Sequence, residues 1–141
     1  MVLFSERDRR ATQDRLKDLE SPVKLITFTQ ELECPTCRET GQLLRELSEL
    51  SEKLSLEVYN FQRDTEQVAR YQVDKIPATV VAGAKDYGIR FYGLPSGYEF
   101  ATLLEDILAV SRGRSGLRPG TIERLRALDR PLHLQVFVTP T

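Results

Sequence analysis

The sequence predicts an α/β domain, a mixed four-stranded sheet with helices on both faces, and three observations carry that prediction. An apolar run, Val23 to Phe28, ends in a short acidic loop and meets a Cys-x-x-Cys that opens a helix. A loosely alternating run, Leu56 to Phe61, follows that helix, and two strands joined through a helix lie parallel. A third strand opening at Pro77 returns through the turn region Gly83–Gly88 to a fourth, Ile89 to Tyr92, and an amphipathic helix follows. A single sheet layered between helices accommodates that order.

Taken in order, Ser5 with Asp8 three residues on marks a helix start, with Phe4 placed to pack on the first turn. This helix is expected to run to about Glu20 on a weak apolar side, Leu16 and Leu19, until Pro22 stops it. The helix after Cys34 carries Leu43, Leu44, Leu47, Leu50 and Leu54 on one face, opposite Arg38, Glu39, Arg45, Glu46, Glu49 and Glu52. Gly41 inside it costs about 1 kcal/mol against alanine, which a kink or a close contact would explain. Asp64 with Gln67 is expected to cap a short helix ending near Tyr71. Pro77 is tolerable at the first position of a strand. Ser96-Gly-Tyr-Glu99 reads as a capping box before the core face Phe100, Leu103, Leu104, Ile107 and Leu108.

Length and charge narrow the function. A chain of 141 residues is one ordinary domain, large enough to fold without a disulfide. With 20 basic and 21 acidic residues it carries no nucleic-acid or membrane-surface footprint. No stretch approaches a membrane span, and the N-terminal Ser5-Glu6-Arg7-Asp8-Arg9-Arg10 has no apolar signal core, so a soluble, cytoplasmic protein is expected.

The two cysteines of the chain are Cys34 and Cys37, in Cys-Pro-Thr-Cys. That spacing puts both sulfurs on the first turn of a helix, where a disulfide can close and reopen without large backbone motion. Pro35 suits the first helical position, which places Cys34 at the cap, against unpaired amides and the positive end of the helix dipole. A thiolate is favoured there, so Cys34 is expected to be the more acidic thiol and Cys37 not. Zinc would need four ligands, hence two chains sharing four sulfurs; His133 lies in the apolar pattern Leu132 to Val138 and reads as a packed or edge histidine. No metal and no cofactor is expected. The dithiol is suited to thiol–disulfide exchange, with an idle dithiol on a binding or dimerisation module as the rival reading.

The same order, with Cys34-Pro-Thr-Cys37 after the first strand and Tyr71-Gln-Val-Asp-Lys-Ile-Pro-Ala-Thr79 before the third, resembles the thioredoxin/glutaredoxin superfamily. The run from Pro22 to Ser111, including Tyr92-Gly-Leu-Pro-Ser-Gly-Tyr-Glu-Phe100, is similar to the N-terminal unit of the glutaredoxin-like protein disulfide oxidoreductases of thermophilic archaea and bacteria. Those proteins carry two thioredoxin folds in tandem, each with its own Cys-x-x-Cys. The resemblance implies a thioredoxin-like fold and a protein disulfide oxidoreductase. It implies Cys34 as the attacking sulfur, Cys37 as the resolving sulfur, and Pro77 as a cis-proline beside the disulfide. Ile76 and Pro77, with Pro35, would then meet an extended substrate segment, the Ile76 backbone pairing with it. The implied partners are protein disulfide or dithiol substrates and a thioredoxin-reductase-like electron donor. One departure is visible: where thioredoxin carries a buried aspartate before the motif, this chain has Thr27, leaving Glu31, Glu33 or water to stand in.

The domain is expected to span 1–111, with 112–141 a linker, a short helix from Thr121 to about Leu128 and the first strand of an incomplete second unit. Arg112 to Gly120 reads as a flexible connector. Residues 132–138 repeat the character of 23–29, and a lone strand there is expected to add to a sheet edge, a homodimer through 132–138 being one form.

Overall fold

Ser5 begins the first helix as its position requires: its hydroxyl accepts from the Asp8 amide at 3.1 Å and donates to the Asp8 carboxylate at 2.6 Å. The computed structural model describes residues 4–139, and this helix, α1, covers Glu6–Leu16. It ends before the expected Glu20, yet Leu16 and Leu19 are both buried. Phe4 packs on Phe100 of a later helix, ring centroids 5.3 Å apart. Arg15 pairs with Glu105 of that same helix.

Four strands follow, β1 (Val23–Thr29), β2 (Leu54–Asn60), β3 (Ala78–Ala82) and β4 (Asp86–Tyr92), in the spatial order β2-β1-β3-β4. β1 is parallel to β2, with Val23 opposite Leu54 and Thr29 opposite Asn60. β3 is antiparallel to both β1 and β4, with Thr27 opposite Thr79 and Ala78 opposite Tyr92. The connecting helices are α2 (Cys37–Ser48) and α3 (Thr65–Tyr71), and α4 (Tyr98–Arg112) follows the last strand. The two-residue strand period divides the core. Val23, Leu25 and Val81 pack with Leu44 and Leu47 of α2, Leu103 and Ile107 of α4, and Leu16 of α1. Ile26, Phe28, Ala78 and Val80 face the other way, onto Tyr71 and Val73 at the end of α3. This is the expected mixed sheet with helices on both faces, a thioredoxin-like fold.

Local chemistry departs from the sequence-based expectation at several caps. Asp64 occupies the cap position of α3 as expected, but its side chain makes no capping bond: the carboxylate accepts from the Asn60 amide at 2.6 Å, while the Asn60 side chain takes the amides of Gln62 and Arg63. The Asp64 carboxylate is drawn back onto the Asx-type turn at Asn60 and away from the helix amides. The capping box at Ser96 is likewise absent: Gly97, at φ 61, precedes α4, and Ser96 closes a turn onto Leu94. Leu54 starts β2 opposite Val23 instead of ending the α2 face. A Cβ on Gly41 would meet only the Arg45 guanidinium, at 3.8 Å, so no close contact requires that glycine. Gly83 is different: a Cβ there would fall 2.7 Å from Val110, where α4 crosses the sheet. Ser111, buried at the end of α4, accepts from the amides of Glu20 and Ser21 and donates to the Ser21 carbonyl, fixing α4 to the entry of β1.

The β3–β4 turn is shorter than expected, Ala82 pairing with Asp86. Asp86 accepts twice from Arg90, at 2.8 and 2.7 Å, and once from the Gly88 amide at 2.9 Å. The Arg90 guanidinium, above all, holds the Asp86 carboxyl below the ordinary carboxylate range, against the opposing effect of burial. A carboxyl lowered in the folded state contributes stability that is present above its unfolded value and is lost as pH falls through its folded value. Asp86→Asn is therefore expected to lower the denaturant midpoint at neutral pH, with the difference from wild type closing as acid protonates Asp86. A pH series of denaturant melts checks this; a difference independent of pH would assign the loss to packing.

Beyond α4, Gly113 at φ 69 ends the helix, and α5 (Pro119–Arg126) buries no residue. The strand expected over 132–138 does not form: these residues are neither helix nor strand and are exposed. Within the chain neither sheet edge, β2 or β4, receives them, and a strand without a partner leaves its amides unpaired. His133 accordingly is exposed, neither packed nor at a strand edge.

Candidate active site

The site is built where β1 runs out of the sheet. After Thr29 the loop turns through Gln30, whose side chain donates to the Leu32 carbonyl at 2.6 Å, and Glu33, which adopts a left-handed φ of 57. That conformation costs a non-glycine residue about 1 kcal/mol and aims the chain into Cys34. Cys34 and Cys37 are joined in a disulfide, their Cα atoms 5.5 Å apart. The helix starts later than the sequence predicted. Thr36, at φ −113 and ψ 2, lies outside the helical well, so α2 begins at Cys37 and the Cys34–Thr36 segment forms the preceding turn. Cys34 is thus not the cap residue, nor Pro35 the first helical residue. The disulfide still spans the N-terminal end of α2, where the first amides lack intrahelical partners. The two sulfurs are not equivalent. Cys37 is 4% exposed, whereas Cys34 is half-buried and open to solvent.

The antiparallel register brings the second motif to the same end of the sheet. Phe28 pairs with Ala78, so Pro77 and Ile76 lie just beyond the last rung, beside the strand that leads into Cys34. The Ile76–Pro77 bond is cis, as the resemblance implied. Pro77 is buried, its carbonyl taking the Gly93 amide at 2.9 Å, while Ile76 is half-buried and Pro35 exposed. Thr27 is buried and its hydroxyl donates to the Ala78 carbonyl at 3.1 Å. Glu31 and Glu33 are exposed in the loop.

Three residues of this end were not singled out from sequence. Thr79 is fully buried with its hydroxyl unpartnered. Leu32, 78% exposed, precedes the cysteines, and Tyr98, 88% exposed, opens α4 after the Gly93–Gly97 loop. A lone apolar residue in an acidic loop was a readable signal for Leu32; Thr79 had none until its strand register was known. Among the described residues no three His, Cys, Asp or Glu side chains gather as a metal site, and no helix is long and apolar enough to cross a membrane.

Known proteins share this fold. The solved protein disulfide oxidoreductase from Aeropyrum pernix K1 superposes with a TM-score of 0.79 and 31% identity, over 88% of this chain and 55% of that one. The N-terminal NTD_N/C domain of alkylhydroperoxide reductase AhpF from Enterococcus faecalis gives a TM-score of 0.79 at 25% identity, over 90% of this chain and 62% of that one. The corresponding alkyl hydroperoxide reductase protein of Staphylococcus aureus strain Mu50 is 26% identical over 104 residues, which is 74% of this chain and 18% of that protein. This chain therefore spans only a small part of the curated relatives it matches. The thioredoxin domain family matches residues 24–105, from the second residue of β1 into α4. With more than half of its length in that match, this chain belongs to the thioredoxin-domain family.

Proposed function

We propose that this protein is a thiol–disulfide oxidoreductase acting on protein disulfides, with Cys34 as the attacking and Cys37 as the resolving sulfur. The observation that carries the reading is the asymmetry of the Cys34–Cys37 disulfide at the head of α2: residue Cys34 is half-buried and residue Cys37 is 4% exposed. In the reduced protein the helix N-terminus favours a thiolate on Cys34. That thiolate attacks a substrate sulfur, forming a mixed disulfide and releasing the other substrate sulfur as a thiolate. Cys37 then attacks Cys34, the internal disulfide re-forms, and the second substrate sulfur leaves reduced. Run in reverse, the same steps oxidise a substrate dithiol.

Ile76, past the end of the β1–β3 ladder, offers backbone groups with which an extended substrate segment would pair, between Pro77 and Pro35. Return of the dithiol to its reduced form falls to an electron donor of thioredoxin-reductase type, a reading in keeping with the reductase relatives above. The test is insulin reduction by dithiothreitol followed as turbidity. Wild-type protein is expected to accelerate precipitation and Cys34→Ser to return it to the uncatalysed rate. Equal rates would leave a binding module with an idle dithiol.

A further inference from the structure

Thr79 poses a physical problem. It is 0% exposed, and its hydroxyl has no hydrogen-bond partner. An unpaired buried hydroxyl is destabilising, and one retained in a folded core calls for a reason. Its neighbours supply one. Leu25 and Val81 face the leucines of α2, and Thr27 and Thr79, an opposed pair two residues along, share that face. They lie toward the end of the sheet where β1 enters the cysteine loop. Because α2 links two parallel strands it runs back over β1, so the turns before Leu44 cover the strand residues after Leu25. The seven residues from Leu44 back to Cys37 rise about 10 Å and the two from Leu25 to Thr27 about 7 Å, so the buried Thr40 and Cys37 belong to the turns that lead from the leucines toward the end of the sheet holding the threonine pair.

The buried hydroxyls of Thr40 and Thr27 are already engaged. The Thr40 hydroxyl donates to the Thr36 carbonyl at 2.8 Å and that of Thr27 to the Ala78 carbonyl at 3.1 Å. The buried carboxylate of α2, Glu46, accepts from Gln42 and the Phe4 amide more than two turns beyond Cys37. Of the three buried threonine hydroxyls at this end, that of Thr79 still has a hydrogen to give.

We propose that Thr79 donates its hydroxyl hydrogen to the Cys37 sulfur once the disulfide opens, stabilising the thiolate that resolves the mixed disulfide. The inference rests on the dithiol reading above and adds the group that serves its second step. In that step the Cys37 thiol loses its proton to solvent, and the thiolate accepts from Thr79 and attacks the Cys34 sulfur. The Cys34–Cys37 bond forms as the Cys34–substrate bond breaks; the substrate sulfur leaves with the electron pair and is protonated by solvent. The protein dithiol is oxidised by two electrons and the substrate disulfide reduced by two. In the oxidised protein the hydroxyl waits unpaired, as observed.

Two measurements test this. In a Cys34→Ser background the ultraviolet absorbance of the thiolate, titrated against pH, reports Cys37 alone. Thr79→Val is expected to move its midpoint up by about one unit, a tenfold loss of thiolate at a fixed pH below it, while Thr79→Ser leaves it in place. With both cysteines present, rapid-quench single turnovers are expected to show resolution slowed about tenfold by Thr79→Val, attack at Cys34 unchanged, and full rate in Thr79→Ser. Should the valine variant not fold, Thr79→Ala against Thr79→Ser makes the same comparison. A midpoint and a resolution rate unmoved by loss of the hydroxyl would overturn the assignment. Wild-type turnover above Cys34→Ser separates the two claims: if it is present while Thr79 variants resolve normally, only the role of Thr79 falls; if it is absent, the oxidoreductase reading falls first.

Discussion

Replacing Cys37 by serine is expected to turn a catalyst into a trap. Cys34 keeps its place before the N-terminus of α2 and its access to solvent, so attack on a substrate disulfide proceeds. Without the buried sulfur that re-closes the ring, the mixed disulfide has no intramolecular exit and waits for an external thiol. Insulin turnover should fall to the dithiothreitol background. A single covalent adduct on Cys34 should build up with a small disulfide probe, visible by mass spectrometry and cleared by excess reductant. Cys34→Ser should form almost no adduct over the same interval, because Cys37 is only 4% exposed. An adduct on Cys37 forming as fast as one on Cys34 would reverse the roles, and undiminished turnover in Cys37→Ser would replace the dithiol cycle by monothiol chemistry.

Much of this site was legible in the sequence because it rests on strong local signals. A Cys-Pro-Thr-Cys after an apolar strand and an Ile-Pro-Ala-Thr before another place two motifs on strands that pair, and the pairing of Phe28 with Ala78 is what brings them to one end of the sheet. Caps were less legible. Asp64 and Ser96 have the right residue types, but side chains that bond locally serve turns as readily as helices, and nearby residues decided which. The start of α2 was misplaced for a related reason: Pro35 is compatible with a first helical position, yet Thr36 leaves the helical well, and no residue type announces that. Residues 132–138 show the opposite failure. Their alternation is strand-like, but a strand is a pairing and not a property of a segment, and within this chain neither sheet edge takes them up. Thr79 was unreadable because an orphan hydroxyl is defined by what fails to approach it.

Phe28→Ala is expected to be among the most costly single changes to the fold. The ring is fully buried, with the Tyr59 ring centroid at 5.7 Å and that of Tyr71 at 6.0 Å, the latter edge-on. It is opposed by Tyr59 on β2 and by Ala78 on β3, and so ties three strands to the end of α3. Removing it leaves a cavity beside Tyr71, whose backbone is held in place by Arg90, the guanidinium donating to the Tyr71 carbonyl at 3.1 Å. Truncations of this kind cost roughly 3–5 kcal/mol, against a total stability of about 5–15 kcal/mol for an ordinary domain. The denaturant midpoint should drop accordingly at unchanged slope, and Phe28→Leu should drop it less. The loss should also reach the chemistry. Phe28 faces Ala78, the residue after Pro77, so loosening this rung releases the cis-proline segment against which the substrate is proposed to pair. At a temperature where the variant is still folded, its KM for a protein disulfide should therefore rise while single-turnover attack on a small disulfide, which needs no such pairing, stays near wild type. A loss below about 1 kcal/mol would show that the aromatic cluster closes over the gap, and an unchanged KM would detach Pro77 from substrate binding.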